Sequence, residues 1–139
     1  MQKAQKGFTL IELVVVIVLL GILGVTALAK FQDLSADAQG AANAGIASEL
    51  SAGSSINYAA RVLGNTAVDL SADGINCADL VDGTATSLLA VAISTTDYTV
   101  TGTGNCATSG SGSTFTCTIA ENPTVVGADD GTASVICTP

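Results

Sequence analysis

The sequence predicts an α+β chain, a long N-terminal α-helix with an apolar first half that packs further on against a small antiparallel β-sheet head. Three observations carry this. Leu13–Val25 contains no polar side chain. From Phe31 to Leu63, apolar and small residues recur at spacings of three and four, which is one face of a helix. After Gly64 the composition shifts to Thr, Ser, Gly and Asp, with short β-branched runs.

The apolar run widens to Phe8–Ala29, adding only Thr9, Glu12 and Thr26 as polar side chains. As a helix this stretch spans about 33 Å, enough to cross a hydrocarbon layer. Lys3 and Lys6 precede it, and Lys30, Asp33 and Asp37 follow. The positive-inside bias places the N-terminus in the cytoplasm and everything after Ala29 outside. A secretory signal peptide shares the basic start and the apolar stretch, with Ala27-Leu28-Ala29 as its cleavage site. That alternative leaves a soluble exported binding domain beginning at Lys30. Glu12 opposes it. A carboxylate in such a segment costs on the order of 2–3 kcal/mol near mid-helix and less near the end. A dispensable signal has no use for it, whereas an acid retained in a membrane segment needs a partner and marks a function.

Beyond Ala29 the periodic face runs through Phe31, Leu34, Ala38, Ala42, Ile46, Leu50, Gly53, Ile56, Ala60 and Leu63. No Pro interrupts it, and Gly64 stands where a left-handed cap would end it. One helix over residues 8–64 is expected, with about 84 Å of it from 8 to 63 before the cap at Gly64. A domain of this size cannot cover such a rod, so its first half needs lipid or other copies of the chain. The second half, Ala38–Leu63, is expected to pack the head, with Gly40, Gly45 and Gly53 allowing close approach.

Residues 65–139 form the expected head. Asn76-Cys77-Ala78-Asp79-Leu80-Val81 reads as a capped single helical turn, with Asn76 as N-cap and Asp79 in the first turn. Ser87–Ile93 is an apolar run that periodicity assigns to neither helix nor strand. Tyr98–Thr101, Ser113–Ile119 and Ser134–Thr138 read as strands, Gly102–Gly112 as a loop and Gly127–Gly131 as a turn. A meander of three or four strands accommodates them, with Phe115, Cys117 and Ile119 inward. The Cys residues stand at 77, 106, 117 and 137, without C-x-x-C spacing. In an exported chain that favours disulfides over a zinc or redox site. The end of the third strand of a meander returns near the loop before the second. This favours Cys106–Cys137 and leaves Cys77–Cys117; Cys106–Cys117 with Cys77–Cys137 is the alternative pairing.

Composition narrows the function. Lys and Arg number 4 against 12 Asp and Glu, a formal net charge of −8, which repels a phosphate backbone and argues against nucleic acid as a partner. The chain has no His and no Trp, so imidazole acid–base chemistry is excluded. A Ser nucleophile therefore lacks its usual base, and paired carboxylates would need a cleft that so small a head can hardly build. Asp79, Asp82, Asp97, Asp129 and Asp130 match no calcium-loop spacing and read as turn residues. Neither enzymatic activity, nor a cofactor, nor a metal site is expected.

Lys6-Gly7-Phe8-Thr9-Leu10-Ile11-Glu12, followed by the apolar run to Gly21, resembles the class III signal of type IV pilins and their relatives. The tracts Lys30–Ser35 and Ser55–Ala60 resemble those of the mannose-sensitive haemagglutinin type of pilin. The resemblance implies removal of residues 1–7 by a prepilin peptidase, with cleavage between Gly7 and Phe8 and N-methylation of Phe8. It implies the pilin architecture, a precursor in the inner membrane among its lipids, and an assembly machinery there. It further implies a helical homo-oligomeric surface filament that would serve adhesion, motility or DNA uptake. Glu12 and Thr9 would act in assembly. Many such pilins carry a Pro where Ala29 stands; here Gly21 and Gly24 are the remaining points of helix flexibility. A pseudopilin of a type II secretion system shares this N-terminus.

Overall fold

The computed structural model describes residues 7–139; residues 1–6, with Lys3, Lys6 and all of the expected leader except Gly7, lie outside the described residues. The chain divides into two units, parted between Leu34 and Ser35. One helix, α1, Leu10–Val62, contributes to both, starting and ending two residues inside the expected limits of 8 and 64. Its end is a Schellman motif. The Asn65 amide donates to Ala60 O at 2.9 Å and the Gly64 amide to Arg61 O at 3.0 Å. Gly64 takes φ 76°, a conformation that costs glycine little.

In the second unit, β1 (Asp73–Asn76) pairs antiparallel with β3 (Thr103–Asn105). β2 (Tyr98–Thr101), β4 (Thr114–Glu121) and β5 (Gly131–Ile136) form an antiparallel sheet in the order β2-β4-β5. Cys117 faces Ala133, and Ile119 faces Gly131. Along β4, Cys117 and Ile119 are buried while Thr114 and Thr116 are exposed. This alternation is what a half-buried sheet requires. The expected turn at Asn76 is present as a 3-10 turn, Cys77–Leu80, whose Ala78 amide donates to Asn76 Oδ1 at 3.1 Å. Leu50, Leu70, Leu80, Val81, Ile119 and Val135 close the core around the Cys77–Cys117 bridge.

Two expectations are corrected. Gly102–Gly112 is not a plain loop, for it contains β3 and a short helix, α2, Cys106–Ser109. The Asn105 side chain caps α2 by accepting from the Thr108 amide at 3.1 Å. Isolated β-propensity is low there; pairing with β1 supplies the order. Ser87–Ile93 forms no regular element. Its backbone is held by Leu80 O, Val81 O and the Glu49 carboxylate, through the amides of Leu88, Ile93 and Ala90.

The larger correction concerns the face of α1. The buried residues are Ala36, Gln39, Asn43, Ala47, Leu50, Ser54 and Asn57, still spaced by three and four. Of the expected apolar face only Leu50 is fully buried; Ile56 is 71% and Leu63 77% exposed. The reason is what α1 packs against. β5 is an edge strand, and two of its amides, on Ser134 and Ile136, donate to Ser51 Oγ at 3.0 Å and Ser54 Oγ at 2.6 Å. Gln39 donates to Pro123 O and accepts from the Val125 amide, and Asn57 does the same with Val68. Asn43 Nδ2 donates to Asp129 O at 3.0 Å. Backbone groups at a sheet edge need polar partners, so a polar stripe is what fits.

Close approach to α1 needs glycine at two points. A Cβ on Gly131 would clash with Asn43 O, and one on Gly53 would clash with Leu88 O. Gly45 faces open space.

Disulfides join Cys77 to Cys117 with Cα atoms 5.7 Å apart, and Cys106 to Cys137 with Cα atoms 5.4 Å apart. They close spans of 40 and 31 residues, and each is expected to contribute about 2–4 kcal/mol. Alkylation of the native, unreduced protein should therefore label no cysteine; labelling of two or more contradicts the pairing. Gly131→Ala should lower stability by about 1–3 kcal/mol through overpacking. Gly45→Ala should be neutral or stabilising, by up to about 1 kcal/mol. Urea unfolding of the full chain in detergent reads both, and equal midpoints for the two variants would contradict the close approach.

Candidate assembly segment

The first unit ends at Leu34. Its apolar side chains are exposed, from Phe8 at 92% through Leu20 and Leu28 to Phe31 and Leu34. The window that qualifies α1 as a membrane span by length and composition is wholly unburied. Large apolar side chains left in contact with water each forgo about 1.5–3 kcal/mol of burial.

The start of the helix is built by Thr9 and Glu12. Thr9 precedes the first helical residue, Leu10, and Glu12 is the third. The Thr9 amide donates to Glu12 Oε2 at 2.9 Å, and the Thr9 hydroxyl donates to the same oxygen at 2.9 Å. The Glu12 amide in turn approaches Thr9 Oγ1 at 3.3 Å. This is a reciprocal capping box, in which two otherwise unpartnered amides of the first turn are satisfied. The anion also sits at the positive end of the helix dipole. Threonine followed three residues later by glutamate is legible as a cap in the sequence, although its acidic member first stands out as a misplaced membrane charge. Within one chain, then, Glu12 is held by its own helix start through Oε2. Phe8, the residue expected to carry the new N-terminus, lies immediately before this cap, and Gly7 before it.

Gly21 and Gly24 lie inside unbroken helix, and a Cβ on either would meet nothing within 4 Å. Neither is needed for packing within the chain. Thr26 turns its hydroxyl back to Leu23 O at 3.0 Å and Ile22 O at 3.3 Å, so its polar group is satisfied along the helix. Lys30 and Asp33 pair at 3.3 Å just past the apolar run.

Head acids are engaged in turns. Hydrogen bonds from the hydroxyl and amide of Ser71 hold the Asp69 carboxyl below its ordinary value, with Arg61 adding a smaller effect. The amide and hydroxyl of Thr84 do the same for Asp82.

Residues 2–28 match the family model described as the prokaryotic N-terminal methylation motif. The chain is 54% identical over 37 residues to a fimbrial protein of Pseudomonas aeruginosa, covering 27% of this chain and 24% of the relative. It is 44% identical over 66 residues to the type IV major alpha-pilin of Moraxella bovis, covering 48% and 40%. It is 56% identical over 39 residues to a type IV major pilin protein of Neisseria gonorrhoeae, covering 28% and 24%. The chain thus spans between 24% and 40% of the length of these curated relatives. No solved structure matches it.

Thr9→Val removes the hydroxyl that both gives and takes a bond in the box. Losses of this kind cost about 0.5–2 kcal/mol. In detergent micelles, amide exchange over residues 10–13 should accelerate, while that over 40–57 stays unchanged. Unaltered protection of the first turn would show that the cap contributes nothing.

Proposed function

We propose that this chain, whose N-terminal region is that of a type IV pilin, is the structural subunit of a type IV pilus-like helical surface filament. The observation that carries the reading is a long apolar helix, exposed along its first half, that opens on the Thr9–Glu12 box directly after Gly7-Phe8.

In this reading a prepilin peptidase cuts between Gly7 and Phe8 and methylates the Phe8 amine. The processed subunit waits in the inner membrane with its apolar half in lipid and its head outside. The inner-membrane machinery then extracts it into a bundle of like helices, whose heads form the surface of a filament that serves adhesion, motility or DNA uptake. Glu12 explains the selectivity of that step. In a low-dielectric bundle a carboxylate and an ammonium each cost several kcal/mol unless paired. The methylated Phe8 amine stays cationic, and axial stagger between subunits brings it level with Glu12 of a neighbour. Capping uses one carboxylate oxygen, Oε2, so the other can take the amine. The cap preorganises the acid for its intersubunit partner.

N-terminal sequencing of material sheared from the cell surface should begin at Phe8; a start at Lys30 would support the soluble exported domain instead. Gly7→Phe should leave full-length precursor in the inner membrane, and normal maturation would sink the processing assignment. Glu12→Val should be inserted and cleaved but enter filaments poorly. Wild-type filament yield from a strain with only that variant would rule out the intersubunit role.

A further inference from the structure

Two exposed apolar features of the second unit lie far apart along α1. The first is Val126, 98% exposed at the tip of the loop between β4 and β5. This loop is fixed to the start of the head by Gln39, which donates to Pro123 O and accepts from the Val125 amide at 2.7 Å, and by Asn43, which donates to Asp129 O at 3.0 Å. The second is a groove beside the last turns of α1, lined by Ile56, Ala60, Val68, Leu88 and Ala90. Ile56 is 71% exposed, and Val91, which follows Ala90 in the chain, is 75% exposed. From Gln39 to Asn57 is about 27 Å along the helix. Both residues lie on its buried face. The valine of one copy therefore cannot reach the groove of the same copy.

Charge favours the same pairing. Over residues 35–139 ten acidic side chains face a single base, Arg61. Arg61 follows Ala60 of the groove, with its Nη2 3.3 Å from Asp69 Oδ2. Nearby Glu49 is occupied by the Ala90 amide. The Val126 loop carries Asp129 and Asp130, both exposed. One end of the head thus offers an apolar knob beside two anions. The other offers an apolar hollow whose Ala60 is followed by Arg61, the only base of residues 35–139, which Asp69 and the Pro139 carbonyl share.

We infer that the Val126 loop of one copy docks into the Ile56–Ala90 groove of the next, head to tail. The two surfaces differ, so the contact is heterologous and does not close on itself within a pair, which is the geometry that generates an open helical polymer. The inference rests on the filament reading. It adds the residues through which successive heads meet, with Val126 as the desolvated anchor and the acidic rim against Arg61 as the element that sets polarity.

The test places a photo-activated benzophenone amino acid at position 126 of the full chain and irradiates assembled filaments. Val126 is exposed, so the replacement leaves the head core untouched. The expected result is covalent dimers whose linked peptide contains residues 53–68 or 87–91. Filaments that form normally but cross-link elsewhere, or not at all, overturn the contact and leave the filament reading standing. Absence of filaments from the wild-type chain overturns both. In parallel, Val126→Asp should lower filament yield about tenfold, while the processed membrane pool stays constant. Arg61→Glu should also lower it, with partial recovery on adding Asp130→Lys. That recovery is a readout that loss of the Arg61–Asp69 pair alone would not move. Wild-type yield from Val126→Asp also overturns the proposal.

Discussion

The head depends on one contact line, the meeting of α1 with the open edge of β5. A three-stranded sheet leaves unpaired amides along its outer strand, and each one buried without a partner costs about 1–3 kcal/mol. Ser51 and Ser54 answer the amides of Ser134 and Ile136. Gln39 and Asn57 do the same for the loops on either side, each giving one bond and taking one. Side chains this short bridge the gap only because the backbones nearly touch, which Gly131 against Asn43 O permits. The helix thus serves as a further strand in hydrogen-bonding terms while adding Ala47 and Leu50 to the core. The match is incomplete at one point. Asn43 Oδ1 is buried with no partner among the described residues.

That line explains which parts of the fold were legible in sequence. The helix, its end at Gly64, the turn at Asn76 and the three strands of the larger sheet follow from period, punctuation and β-branching, because local physics decides them. The buried face of α1 did not. Hydrophobic periodicity assumes an apolar neighbour, and here the neighbour is backbone. Ala36, Gln39, Asn43, Ala47, Ser54 and Asn57 carry the helical period, but in residues that a hydrophobic pattern ignores. A period of three and four in Ser, Asn and Gln is the signal that finds such a face. β1 and β3 were equally silent. Neither Asp73–Asn76 nor Thr103–Asn105 has strand character alone, and only their pairing orders them. Within the assembly segment the residues themselves were legible, since a carboxylate in a run of Val, Leu and Ile is conspicuous. What the structure adds is the Thr9 bond pattern that holds it.

The two parts of α1 solve opposite problems with one geometry. Past Ser35 the helix carries small and polar residues and meets backbone closely. Before it, the helix carries large apolar residues without a partner in the chain's described residues. The second pattern does not by itself favour a bundle over a bilayer. Lipid tails are as apolar as leucine, so moving Phe8–Ala29 from lipid into a bundle gains little hydrophobic free energy. Packing and polar pairs must make the difference. Glu12 is the one acid in that stretch, and it is worth most where water and lipid are both excluded.

The heads impose a further constraint in the proposed filament. Over residues 35–139, ten acids against one base make neighbouring copies repel, and salt at physiological strength screens this only beyond about 8 Å. Repulsion keeps free subunits and finished fibres soluble, but it opposes the close approach that assembly needs. Hydrogen bonds hold the Asp69 and Asp82 carboxyls below their ordinary values, so both stay ionised and keep that repulsion in place. Arg61, the single base of residues 35–139, lies at the end away from the Val126 loop, where it is bound to Asp69 Oδ2 and Pro139 O. Two Val126 loops brought together present only carboxylates to each other, whereas a loop brought to the Arg61 end meets the one base. In the proposed filament the apolar half of α1 supplies adhesion without much orientation, and the charge pattern of the head adds the polarity.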